Sequence, residues 1–113
     1  MKKDPKIFIG HILDSIKEIE RNTKNMTGNE FFDAITIQDA VIRRLEIIDE
    51  AVKNLPNSFK NKYPEIPWKK IAGTRDILIH GYFGVDADLV WKIVNKDVPK
   101  LKKQIQKILK ELK

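Results

Sequence analysis

The stretch FFDAITIQDAVIRRLEIIDEAVKNL, Phe31 to Leu55, carries the longest regular pattern in the chain. Phe31, Ile35, Gln38, Ile42, Leu45, Ile48 or Asp49, and Val52 follow at three- and four-residue steps, which puts them on one line of an α-helix. Phe32, Ala34, Val41 and Ile47 broaden that line, so the helix is expected to touch more than one neighbour or a second subunit. Thr27 and Glu30 stand ahead of it at capping-box spacing, and the predicted helix runs from there to about Leu55. No segment alternates with period two for long enough to make a sheet. The chain therefore reads as all-α: an up-and-down four-helix bundle with a short extra helical turn and a Pro-kinked C-terminal helix.

Upstream, Asp4-Pro5 reads as a helix start, with the carboxylate capping free amides and the ring in the first turn, where its missing N–H costs nothing. Phe8, Ile9, Ile12, Leu13, Ile16 and Ile19 then form one stripe to about Arg21, with His11 at its edge as a surface residue. Asn22 to Asn29, containing Gly28, reads as a short turn. Downstream, three prolines between Pro56 and Pro67 predict a rigid connector with at most one helical turn near Ser58 to Asn61. A third helix is expected from Pro67 to a stop at Gly81, and a fourth after Asp86 and Asp88, interrupted or restarted at Pro99. Asp86 and Asp88 read as a cap and a first-turn acid rather than metal ligands, since no third carboxylate or histidine stands at supporting spacing. Gln38-Asp39 and Arg43-Arg44 read as surface groups, with an orientation toward a site as the alternative.

The chain has 113 residues, enough for a single domain with one core, and 42% hydrophobic against 34% charged residues is a globular composition. Without cysteine it has no disulfide, thiolate metal site or cysteine nucleophile. No segment approaches membrane-spanning length, and a cytoplasmic location is expected. The net charge of +6 is uneven: residues 53–70 carry a net +4 and residues 96–113 a net +5, which offers a polyanion two basic patches. A solvated lysine face is the plainer account of such runs.

Arg75-Asp76-Ile77-Leu78-Ile79-His80-Gly81-Tyr82 places a guanidinium, an imidazole and a phenol within eight residues. A guanidinium can grip two phosphate oxygens at once, and imidazole titrates near neutral pH, so the pair suits phosphodiester chemistry. On one helix Arg75 and His80 would lie about 140° apart around the axis. A two-fold dimer that pairs this segment would let residues of both copies line one cleft.

Written as Arg-x4-His-x-Tyr, the segment resembles the signature of the HEPN superfamily, specifically the HepT-like ribonuclease toxins. Thr36-Ile37-Gln38-Asp39-Ala40-Val41, Tyr63-Pro64-Glu65-Ile66-Pro67-Trp68 and Tyr82-Phe83-Gly84-Val85-Asp86, followed by Val90-Trp91, resemble that family in the same order. The resemblance implies catalytic roles for Arg75 and His80, with Asp76 as the polar residue beside the arginine, and cleavage of RNA without a metal or other cofactor. It also implies a homodimer, with a higher oligomer as the alternative, and a minimal nucleotidyltransferase antitoxin, in a type VII toxin–antitoxin pair, that adds AMP to Tyr82. Gly81 stands where many relatives have an acid, Asp76 where Asn is frequent, and Asp49 where Gly is common. Two other readings compete: a non-catalytic HEPN module serving as nucleotide-binding or scaffold subunit of a nucleotidyltransferase complex, and an unrelated helical adaptor that binds nucleic acid through its lysines.

Overall fold

The computed structural model describes residues 4–74 and 86–112 of the chain. The described residues form α1 (Pro5–Thr23), α2 (Gly28–Asp33), α3 (Ile35–Asn54), α4 (Asn57–Lys60), α5 (Trp68–Ala72), α6 (Ala87–Lys92), a π-helical turn (Ile93–Asp97) and α7 (Val98–Glu111), and no strand. This is the helical-bundle architecture expected from the sequence.

Helix α1 begins as predicted, Asp4 Oδ1 accepting from the Lys6 amide at 2.9 Å with Pro5 in the first turn. Ile9, Ile12, Ile16 and Ile19 are fully buried, each such burial contributing about 1.5–3 kcal/mol before chain entropy is counted. They face α3, and this is the most extensive contact between elements. The two run antiparallel: Phe8 and His11 share a groove with Glu50 and Asn54, while Glu18 lies 4.0 Å from Arg44 toward the other end.

The single long helix expected from Thr27 to Leu55 is two helices. Thr27 and Glu30 form the predicted capping box, with the Glu30 amide 3.2 Å from Thr27 Oγ1 and the Thr27 amide 2.9 Å from Glu30 Oε1. These bonds hold the Glu30 carboxyl below its ordinary value. At Ala34, however, the backbone leaves the helix (φ −103°, ψ 76°) and α3 starts anew. The break turns Phe31 inward, where its ring meets Trp91 of α6 at 4.9 Å, and leaves Ile35, expected on the buried line, 68% exposed. Gly28 permits this approach, because a Cβ there would lie 3.2 Å from Trp91 Nε1. Carbonyls freed by the break are taken by Gln38, whose Nε2 donates to Phe31 O at 2.8 Å and Phe32 O at 3.0 Å. Gln38 is thus a buried capping residue rather than a surface group.

The connector is held from both sides. Phe59 of α4 is buried, and Trp68 Nε1 donates to Lys60 O and Tyr63 O at 3.2 and 3.1 Å. Tyr63 donates through its hydroxyl to Glu111 Oε2 of α7 at 2.9 Å. Helix α5 closes at Gly73 and Thr74 is helical again, while the predicted stop at Gly81 lies outside the described residues. Downstream, the chain stays helical through Pro99, which lies in the first turn of α7. The preceding turn widens so that the Val98 amide donates to Ile93 O, and α6, the π turn and α7 follow without interruption, with Val90, Val94, Val98, Leu101, Ile105 and Ile108 buried.

Gln38→Leu removes the donor of the Phe32 carbonyl and leaves the Phe31 carbonyl with only the Ala34 amide at 3.2 Å, and is expected to cost about 1–3 kcal/mol in urea unfolding. Tyr63 supplies a pH-dependent contrast. Partial burial, the hydrogen bond to Glu111 and the Glu111 and Glu65 charges raise its phenol above the ordinary 10.0. Folding therefore favours the neutral phenol, a contribution fully present below pH 10.0 and lost as pH rises through the higher folded value. The stability gap between wild type and Tyr63→Phe, about 0.5–1 kcal/mol at neutral pH for this solvent-screened bond, should narrow in alkaline unfolding curves.

Candidate nucleic-acid interface

Arg75, Asp76, His80 and Tyr82, the residues singled out in the sequence, lie outside the described residues, as do the apolar run Ile77-Leu78-Ile79 and Gly81. Before that stretch, α5 is fixed by buried Trp68 and by Ile71 against the core, and Thr74 Oγ1 donates to Lys70 O at 3.0 Å. After it, Asp86 caps α6, its Oδ1 accepting from the Leu89 amide at 3.1 Å, with Asp88 in the first turn and Val90 fully buried. Both α5 and α6 pack on α3, so one helix supports both ends of the motif.

Beside this support lies a cleft of about 140 Å³. Leu45 and Ile48 of α3, Ile71 of α5, and Ile93, Val98 and Leu101 give it apolar walls. Lys70, Thr74, Asp97, Lys100 and Gln104 stand among its polar lining. Lys70 comes from the first basic segment and Lys100 from the second, so the two patches seen separately in the sequence meet across one opening. Neither lysine's side chain makes an ion pair or hydrogen bond among the described residues. Other lysines of these segments have structural partners: Lys102 binds Glu20 at 2.9 Å, Lys60 donates to Val52 O at 3.3 Å, and Lys53 lies 3.4 Å from buried Asp49. The basic runs are therefore divided between internal ties and an outward-facing rim.

The remaining candidates have other roles. His11 is exposed and sits edge-on to Phe8 at 6.4 Å. Asp39 and Arg43 are exposed, and Arg44 turns toward Glu18. No group of three or more His, Asp or Glu side chains suited to a metal occurs among the described residues. No described helix is long and apolar enough to cross a membrane. Gln104 and the apolar floor had not been singled out; they are assembled from positions up to 59 residues apart, as Leu45 and Gln104 illustrate. The only sequence trace of the cleft is the pair of lysine-rich runs.

A basic helical domain with these features falls in a known class. The model of the HepT-like family, "Ribonuclease HepT-like", matches residues 12–108, and the chain belongs to that family. It is 58% identical over 99% of its length to a protein of Methanocaldococcus jannaschii named "Gamma-glutamylcyclotransferase and putative RNase", of which it spans 50%. A shorter protein of the same archaeon, named "Putative RNase", is 49% identical over 93% of this chain and 96% of its own. "Probable ribonuclease HepT" of Thermococcus cleftensis is 46% identical over 97% of this chain and all of its own. No solved structure matches the chain at a significant level.

If the rim lysines meet phosphates, Lys70→Ala with Lys100→Ala should weaken binding of a single-stranded oligonucleotide and flatten its dependence on log salt by roughly 1.4, about 0.7 for each lost contact. Fluorescence anisotropy across a salt series reads both effects, and an unchanged slope would remove the lysines from the interface.

Proposed function

We propose that this chain is a single-domain endoribonuclease toxin that cleaves RNA in the cytoplasm without a metal, at a site formed by Arg75, His80 and Asp76. The observation that carries the reading is Arg-x4-His-x-Tyr in a chain of the HepT-like ribonuclease family, flanked by helices docked on α3 and by a lysine-rimmed cleft. RNA brings its own nucleophile. The 2′-oxygen attacks the adjacent phosphorus, the bond from phosphorus to the 5′-oxygen breaks, and the products are a 2′,3′-cyclic phosphate and a 5′-hydroxyl. His80 moves a proton, either from the attacking hydroxyl or to the departing oxygen, and Arg75 holds the nonbridging oxygens as charge grows on them. Asp76 orients one of the two by hydrogen bonding. Because the mechanism needs one proton removed and one supplied, a two-fold homodimer presenting two copies of His80 to one cleft suits it.

Tyr82 is the proposed control point. A minimal nucleotidyltransferase antitoxin would add AMP to its phenol, placing a phosphate next to the arginine's anion site and a nucleoside in the substrate's space. RNA would then be excluded by both charge and volume.

The test is cleavage of single-stranded RNA in EDTA, with the new ends identified chemically. Wild type should leave cyclic phosphate ends, and His80→Ala or Arg75→Ala should lower the rate by about 10²–10⁴-fold. Cleavage that persists in His80→Ala, or that EDTA abolishes, would remove the proposed mechanism.

A further inference from the structure

We infer that the cleft between α3, α5 and the π turn seats one unpaired base of the RNA, an inference that rests on the ribonuclease reading and adds to it a base-binding subsite. Its size and chemistry lead to this. A cavity of roughly 150 Å³ lined by aliphatic side chains takes up a benzene ring, and this cleft measures about 140 Å³. Phosphate has no use for the walls made by Ile48, Ile71, Ile93 and Leu101, whereas a base presents two apolar faces to such side chains. A base also has a polar edge, and Gln104 on the lining offers an amide whose Nε2 makes only a long 3.5 Å bond to Glu65 O and whose oxygen can accept.

The rim completes the match. Lys70 and Lys100, exposed on α5 and α7, would hold the phosphates on either side of the inserted base. A neutral hydrophobic ligand would gain nothing from these two charges, and a duplex would keep its bases stacked out of reach. The ligand class that uses both floor and rim is therefore single-stranded nucleic acid. Thr74, which precedes Arg75 in the sequence, also lines the cleft.

The experiment uses the full chain carrying His80→Ala, so that no step depends on turnover. Its probes are a fluorescein-labelled oligouridylate and a ribose-phosphate strand of equal length without bases. The oligouridylate should bind about tenfold tighter, a gap of the size that burying part of one base against aliphatic side chains supplies. Gln104→Trp, which fills the cleft from its rim, should close the gap while leaving the abasic strand's affinity unchanged. A measurement without that variant is the methyl spectrum of ¹³C-labelled isoleucine. The Ile71 and Ile93 methyls should shift under the ring current of the oligouridylate and stay in place with the abasic strand. Equal affinity for both strands, or a gap with unmoved Ile71 and Ile93 methyls, would overturn the subsite. Methyl shifts that follow protein concentration without RNA would overturn it in favour of a second copy of the chain. Loss of RNA cleavage in wild type would instead count against the ribonuclease reading, since none of these binding measurements uses it.

Discussion

The burial of α3 is the constraint on which the other elements depend. Its Val41, Leu45, Ile48 and Val52 are nearly or completely withdrawn from solvent, and it packs against α1, α2, α5 and α6. A helix contacted from so many directions has little freedom to rotate, because interiors pack as tightly as organic crystals and a displaced side chain has nowhere to go. Its fixed position is inherited by the short helices α5 and α6, too short to be stable alone. The motif stretch thus begins and ends on elements held by long-range packing rather than by local helix propensity.

Much of this was legible in the sequence where local chemistry decides the outcome. Asp4-Pro5, the Thr27–Glu30 box and Asp86 act within three residues of where they stand, and the isoleucine spacing of α1 directly gives its buried stripe. The break at Ala34 was not legible. Alanine is the best helix former, and the apolar line runs through it unbroken, so nothing local opposes a continuous helix. What decides is remote: Phe31 gains Trp91, 60 residues away in sequence, and Gln38 replaces the backbone bonds that the break forfeits. Read alone, Gln38 was a polar interruption in an apolar line, and its role depends on a bend that does not yet exist at that level. The candidate site divides in the same way. Arg75, His80, Asp76 and Tyr82 stand out by residue type and family resemblance, but the cleft is a product of tertiary folding and leaves only two lysine runs as its trace.

Charge is sorted along the chain. Residues 27–42, which span α2, the Ala34 break and the start of α3, carry Glu30, Asp33 and Asp39 and neither lysine nor arginine. The cleft lining carries Lys70 and Lys100 beside Asp97. A net charge of +6 favours the approach of a polyanion, an effect that accelerates encounters more than it strengthens a final complex. The Lys102–Glu20 pair contributes differently. Partly exposed, it is worth under about 1 kcal/mol, and its main effect is to withdraw one lysine from the free surface.

The π turn ahead of Pro99 has a geometrical consequence for the whole C-terminal third. An i to i−5 hydrogen bond takes one more residue into a turn than an α-helix does, so α7 emerges about one residue step, or 100°, out of phase with a straight continuation of α6. One continuous helical stretch can therefore turn different faces to different neighbours, Trp91 toward α2 and Lys102 toward α1. Proline, which forbids the ordinary bond at this point, makes the phase change compatible with the backbone. This stretch acts as a coupling with a fixed twist built into its shaft.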